Sequence, residues 1–526
     1  MTVELPVIAD TDRDVAEPSR ERKRPVRALT DGRQSAIREC ARCVFGVTQF
    51  RPLQLEAITA DLERKDSLCV MSTGSGKSLC YQLPALLEGG VTLVVSPLIA
   101  LMKDQLDALR ARGIPADALN CDRHWRDNHN TLDLVKAGRL RLLYVAPERC
   151  DDPAFLSALA LCDLRSIVID EAHCISVWGP DFRPAYAKLG QLRILRPDVP
   201  LHAFTATATS RVREQIKESL MLRKPAEFIG DVDRPNLFLR VADCTGHNRD
   251  ALLLDCLRGV SAFLRFCVSD SVDGIVYCPT RVETERIATL LKTAPIRDHE
   301  EAAFDAHAYH AGLDPNRRRA VHDWFRARSN SSILQPLNPS LDTGHSSLAT
   351  SRIIVATVAF GLGIDKPDVR FVIHNGMPSS LDIYHQDIGR AGRDGKPAEC
   401  ILLYDPGDYA RRVSLFQSRD RQGADDFGLI GKLDALSDRE CYCGVTRRSR
   451  ALPACRHAHL VEYFGQSCPH DPSRERKRPD NENREGRGAE LGCAACDICL
   501  SEPEAQATGC SKAPARGRKE GTSNGE

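Results

Sequence analysis

Residues 71–78, MSTGSGKS, restrict this chain more than any other stretch, because they follow an apolar run at 68–71 and lead into a helix-like one. Gly74 and Gly76 can turn backbone N–H groups inward around phosphate oxygens, a conformation that side-chain-bearing residues resist. Lys77 then reaches the β- and γ-phosphates, and Ser78 is placed to ligate Mg²⁺. The N-terminus of the following helix adds the positive end of its dipole, and Thr73 and Ser75 complete the loop. The strict phosphate-loop pattern has glycine where Met71 stands.

A strand–loop–helix unit of this kind belongs in a parallel sheet, and the surrounding sequence agrees. Short β-branched runs at 68–71, 92–95, 142–145, 167–169 and 201–204 alternate with helix-like segments such as 98–110 and 210–222. A second block repeats the plan, with strands expected at 274–277, 353–356, 371–374 and 399–404. Strand–helix alternation predicts α/β lobes, each a parallel sheet flanked by helices. The expected division is a tail at 1–35, a first lobe at 36–228, a second at 229–408, a small zinc-binding subdomain at 409–503 and a polar tail at 504–526. Polar stretches at 329–350 and 467–491 read as insertions. The octapeptide PSRERKRP occurs at 18–25 and again at 472–479, either by chance duplication or as a basic address or nucleic-acid patch.

Composition removes several classes. With 42% hydrophobic and 27% charged residues the chain is neither disordered nor fibrous. Lys+Arg and Asp+Glu are 72 each, so a basic surface for nucleic acid has to be local. No apolar run of about 18 residues predicts a membrane span, and the N-terminus lacks an apolar signal core, which reads as an intracellular protein. Of the 21 cysteines, only Cys493, Cys496 and Cys499 form a tight cluster. Their C-x-x-C-x-x-C spacing suits tetrahedral zinc.

Asp170 and Glu171 end another apolar run and pair naturally with the phosphate loop. Asp170 is expected to bind Mg²⁺ through water, and Glu171 to take the proton of the attacking water. On a strand, alternating side chains would let neighbours hold these two roles.

The order of further motifs resembles superfamily 2 helicases: SPL at 96–98, APER at 146–149, TATAT at 205–209 and QDIGRAGRDG at 386–395. More narrowly, Phe45-Gly46 with FRPLQ at 50–54, DEAHCISVWGPDFRP at 170–184 and ATVAFGLGIDK at 356–366 resemble RecQ helicases over about 36–503. The resemblance implies two tandem RecA-like lobes followed by a small helical zinc-binding subdomain. It implies ATP, Mg²⁺ and Zn²⁺ as cofactors, and single-stranded and forked DNA as partners. Gln54, with Arg51, is implied to contact the adenine edge. Arg393 is the implied arginine finger from the second lobe, with Arg390 close to the phosphates, and Thr205 and Thr207 couple the lobes. Trp178, Phe182 and Arg183 are implied to sense single-stranded DNA by stacking and phosphate contact. The fourth zinc ligand is implied to be Cys455, with Cys441, Cys443, His457, His459 and Cys468 as nearby alternatives.

The family pattern is not matched everywhere. Val47 stands where relatives carry an aromatic residue for adenine, and Val177 and Pro180 replace Gln and His in the sensing loop. His310 has no assigned role. The chain ends about 27 residues past Cys499, where relatives commonly continue into a winged helix; translocation is therefore expected to survive better than duplex opening. The implied activity is an ATP-dependent 3′→5′ DNA helicase in recombination and repair. Its rivals are an RNA or hybrid helicase, a non-unwinding translocase and a non-catalytic nucleotide-gated scaffold.

Overall fold

The computed structural model describes residues 31–97, 99–121, 123–176, 183–267, 272–293, 304–326, 351–360, 366–405, 407–408, 455–466 and 496. Trp178, Phe182, Cys493, Cys499, both octapeptides and the 329–350 and 467–491 segments lie outside them.

The first lobe carries strands β1 (Ser67–Val70), β2 (Val91–Val95), β3 (Ala116–Leu119), β4 (Leu142–Val145), β5 (Leu164–Ile169), β6 (Leu201–Thr205) and β7 (Ala226–Ile229). They form one parallel sheet in the order β3-β4-β2-β5-β6-β1-β7. β2 and β5 are buried at every position, as strands covered by helices on both faces must be. The register sets Val70 beside Thr205, and Ile169 beside Ala203. The loops after β1, β5 and β6 therefore leave the sheet side by side at its carboxyl end, where open α/β sheets bind ligands.

The second lobe carries β8 (Leu237–Asp243), β9 (Gly274–Tyr277), β10 (Asp305–Tyr309), β11 (Arg352–Ala356), β12 (Phe371–His374) and β13 (Ala398–Tyr404), again parallel, in the order β10-β11-β9-β12-β13-β8. The helix Leu381–Ile388 starts at Ser380, whose side chain accepts from Ile383 N at 3.2 Å, a serine N-cap that satisfies one of the helix's orphan donors. It delivers the arginine-bearing turn at 389–393 to the face of the lobe that meets the first lobe. After β13 the helix Arg456–Tyr463 packs on this lobe: Cys455, Ala458, Leu460 and Val461 share one buried cluster with Leu237, Leu239, Ile388 and Cys496. Cys496 also bridges Leu239 on the β8 edge.

The two-lobe α/β architecture is as expected, with three differences. The helix Asp31–Phe45 begins inside the stretch read as a tail, because Ile37 and Ala41 bury one face against the first lobe. The first sheet runs on to Ile229, so the chain passes between lobes at residues 230–236. Strands β3, β7, β8 and β10 were not anticipated. Among the described residues no helix is long and apolar enough to cross a membrane.

Candidate active site

The loop after β1 adopts the conformation its glycines permit: Gly74 has φ +82° and Gly76 φ +83°. Lys77 Nζ lies 3.1 Å from Met71 O, folded back across the loop. The Ser75 hydroxyl is buried without a hydrogen-bond partner among the described residues, a polar atom left for a ligand to satisfy. Gln54 Nε2 donates to Ser75 O at 2.9 Å and Gly76 O at 3.2 Å, while its Oε1 accepts from Arg51 N at 2.9 Å. The Arg51 guanidinium donates to Gly74 O. Both residues implied to read adenine thus brace the loop in this structure, and an adenine edge has to exchange for those bonds.

A Cβ on Gly76 would stand 2.5 Å from Gln54 Nε2, on top of the cost of the left-handed backbone. Gly76→Ala is expected to weaken nucleotide binding by about tenfold or more, with the fold retained, as read by titration with a fluorescent ATP analogue. Wild-type affinity in that variant would contradict the loop's role.

Asp170 and Glu171 lie just beyond β5 rather than on it. Glu171 sits at φ 49°, ψ 47°, a left-handed position that non-glycine residues seldom occupy and that marks functional sites. Its N–H donates to Asp170 Oδ1 at 3.0 Å. This turn, not strand alternation, sets how the two carboxylates are presented. Behind them His173 Nδ1 stands 2.8 Å from Thr205 Oγ1 and 3.3 Å from Glu171 Oε2. Thr205 in turn donates to Thr207 O at 3.0 Å. These threonine contacts tie the acids to the end of β6 within the first lobe.

The electrostatics separate the two acids. Burial and the adjacent Glu171 raise the pKa of Asp170. Burial alone would raise Glu171 as well, but its contact with His173, aided by Lys77 and Arg390, outweighs that and holds it below the ordinary glutamate value. Burial opposes a charge on His173, yet Cys174 and Glu171 beside it raise its pKa. Of the two acids, Glu171 is the one whose surroundings favour the carboxylate. A buried Asp170 crowded by that charge is a position that a divalent cation relieves.

Across from these groups the second lobe supplies its arginines. Arg390 is buried, with Nε 3.8 Å from Asp387 Oδ1, and Asp387 Oδ2 is held 3.3 Å from His374 Nε2. The Arg393 stem packs on Gly74, its Cγ 3.2 Å from where a Cβ would be. The lobes thus meet over a cleft of about 780 Å³ whose lining includes Gln54, Lys77, Ser78, Glu171, Arg390 and Arg393. Val47 lines its mouth, where the Arg112 guanidinium lies 5.8 Å from the Phe45 ring centre. Two groups that sequence reading missed support the arginine turn. Arg234 Nη2 donates to Ala391 O at 3.0 Å and Gly392 O at 2.8 Å, and Asn236 Nδ2 to Gly392 O at 2.9 Å.

Other expected site residues do not line this cleft. Arg183 Nη1 donates to Pro97 O at 2.7 Å and its N–H to Cys174 O at 3.0 Å, anchoring the aromatic loop to the SPL motif. Tyr186, fully buried, donates to Asp170 O at 2.9 Å, which links the end of that loop to the acids. Cys455 and Cys496 are both buried in the second-lobe cluster. His457 is engaged elsewhere: Nδ1 lies 2.7 Å from Asp233 Oδ1 and Nε2 3.1 Å from Leu237 O. Among the described residues no group of three or more His, Cys, Asp or Glu side chains is gathered for a metal. His310 is buried and its Nε2 meets the half-exposed Glu285 Oε1 at 3.0 Å, away from the cleft lining.

Known proteins resemble this chain in sequence and in fold. The family profile described as DEAD/DEAH box helicase matches residues 51–216, and that described as helicase conserved C-terminal domain matches 342–395. The ATP-dependent DNA helicase RecQ of Pasteurella multocida is 37% identical over 473 residues, covering 90% of this chain and 63% of that protein. The ATP-dependent DNA helicase Q1 of Rattus norvegicus is 35% identical over 438 residues, covering 82% and 62%. The chain thus spans about three fifths of the length of these relatives. Among solved structures, the DUF1998 helicase MrfA bound to DNA and AMPPNP superposes with a TM-score of 0.55 at 18% identity, covering 87% of this chain and 62% of that one. Mss116p bound to ssRNA and AMP-PNP gives 0.54 at 16%, covering 82% and 89%; both likenesses concern the fold.

Two RecA-like lobes facing each other across one cleft define the class as helicase-type α/β chains. Within that class its sequence is similar to helicases of the RecQ family, at 35–37% identity over most of the chain.

Proposed function

We propose that this chain is an ATP-dependent DNA helicase or translocase of the RecQ type, moving 3′→5′ on single-stranded DNA and serving recombination and repair. The observation that carries the reading is the shared cleft, in which Lys77 and Glu171 of one lobe face Arg390 and Arg393 of the other. Lys77 leaves Met71 O to meet the β- and γ-phosphates, and the N–H groups around Gly74 and Gly76 cradle them. Glu171, held as a carboxylate, accepts a hydrogen bond from the attacking water and orients it. Arg393 meets the charge that develops on the γ-phosphoryl group, and Arg390 supports it. Arg393 reaches the phosphates only while the lobes are closed, so hydrolysis and closure are one event, and reopening advances the chain on DNA.

Ser78 and Asp170 would hold Mg²⁺, which when bound neutralises phosphate charge. Zinc would be held by Cys455, Cys493, Cys496 and Cys499, and the burial of Cys455 and Cys496 in one cluster fits a closed structural site. Its chemistry would pin the chain after β13 to the second lobe. One zinc per chain, lost in Cys455→Ser, is the expected metal analysis; full metal content in that variant would remove Cys455 from the ligand set.

DNA as the substrate follows from the relatives' names, and Trp178 and Phe182 are its proposed stacking contacts. Stimulation of ATP hydrolysis by single-stranded DNA and by RNA of equal length separates the readings. Stronger stimulation by DNA, weakening as salt rises, is expected; a preference for RNA would overturn the DNA assignment.

A further inference from the structure

The linker between the lobes touches both halves of the cleft. At its start, Gly230 N donates to Val70 O at 2.7 Å, on the last residue of β1 before the phosphate loop begins. Further along, Arg234 and Asn236 hold the carbonyls of Ala391 and Gly392, next to Arg393. The spacing of phosphate loop and arginine finger is therefore set by the conformation of residues 230–236.

That conformation is fixed from outside the linker, by the helix Arg456–Tyr463 and the residues after it. Gln466 grips it twice: its Nε2 donates to Gly230 O at 2.7 Å, and its Oε1 accepts from Val232 N at 3.0 Å. His457 spans the far end, between Asp233 Oδ1 and Leu237 O. His385 Nε2 lies 3.1 Å from Val232 O, its ring packed 4.9 Å from that of Phe464. The linker is thus held at Gly230, Val232 and Asp233, and the start of β8 at Leu237, by groups 153 to 236 residues away in sequence.

We propose that Gln466 and His457 are positioning residues for ATP hydrolysis. They clamp the interlobe linker so that Arg234 presents Arg393 to the phosphate loop when the lobes close. The proposal rests on the reading of the cleft as the hydrolysis site. A loosened clamp leaves the first lobe's nucleotide contacts intact but lets the arginine turn wander, and a displacement of about 1 Å at a reacting centre costs as much as 10²-fold in rate.

The test uses the full chain with Gln466→Glu, which keeps the shape but sets a carboxylate against Gly230 O, and with His457→Ala. The expected result is a fall in kcat of about tenfold or more in each, while the Kd for a fluorescent non-hydrolysable ATP analogue stays within about twofold and the circular dichroism is that of the wild type. Should either variant fail to fold, Arg234→Lys tests the other end, because a lysine cannot span the carbonyls that the guanidinium fork holds. Unchanged kcat in the folded variants, or a fall in kcat matched by lost nucleotide binding, overturns the clamp. Glu171→Gln run beside them separates the two readings. If it abolishes hydrolysis while the clamp variants keep it, only the clamp falls; if it too is fully active, the cleft is not the hydrolysis site and both fall.

Discussion

Glu171→Gln is expected to bind ATP as the wild type does and to hydrolyse it at least about 10²-fold more slowly, the scale on which a positioned acid–base group acts. The substitution preserves the shape, the left-handed backbone at φ 49° and the packing behind it. It replaces the oxygen pair that accepts from water with an amide that donates from one side. The charge change works in favour of binding. Glu171 is one of the two causes that raise Asp170, so its neutralisation leaves Asp170 ionised to lower pH and keeps the proposed magnesium position intact. Loss of rate without loss of affinity is therefore the signature. Equal rates in variant and wild type would assign the carboxylate a structural part and move the hydrolytic centre elsewhere.

Arg393→Ala carries the larger effect, about 10³-fold or more in kcat, because an arginine finger acts on charge that exists only in the transition state. Nucleotide affinity is expected to change by a few fold at most. Arg393 also packs its stem on Gly74, so alanine removes an interlobe contact together with the charge. Arg393→Lys separates the two contributions: it keeps the stem and the charge and loses only the planar fork. An intermediate rate in the lysine variant, with affinity unchanged, is the result that assigns the effect to the guanidinium. If lysine restored full activity, Arg393 would serve as a contact rather than as a finger.

The strands that reading the sequence misses, β3, β7, β8 and β10, are the outer strands of the two sheets. A central parallel strand is buried on both faces and shows as a continuous apolar run, such as VTLVV in β2. An edge strand carries no such demand. DAHAY in β10 alternates between half-buried and buried, and AEFI in β7 is nowhere fully buried, so neither stands out from a loop. The glycine-lysine loop and the paired acids stood out by residue type and spacing, and the arginine turn by resemblance; the structure brings Lys77, Glu171, Arg390 and Arg393 to one cleft.

The supports of those groups were not legible. Gln466, Arg234 and Asn236 act on backbone carbonyls 236, 157 and 156 residues away, and a carbonyl leaves no trace in the sequence that could announce its partner. Arg112 reaches the cleft mouth beside Phe45 only because the first lobe folds its helix end there. The left-handed turn at Glu171 was equally hidden, since nothing in the run from Ile169 to Ala172 marks where the strand stops. Arg183 shows the converse limit: its residue type suits a phosphate contact, while in the structure it anchors its loop to Pro97.

The central claim is that closure of the two lobes over ATP drives movement along DNA. It is tested most directly by measuring ATP hydrolysis and strand displacement together on a forked duplex with a 3′ single-stranded tail. The expected result is hydrolysis that depends on the DNA, is abolished in Glu171→Gln and proceeds with displacement from the 3′-tailed fork. Hydrolysis without displacement would leave a translocase. Hydrolysis indifferent to DNA, or surviving in Glu171→Gln, would contradict the account.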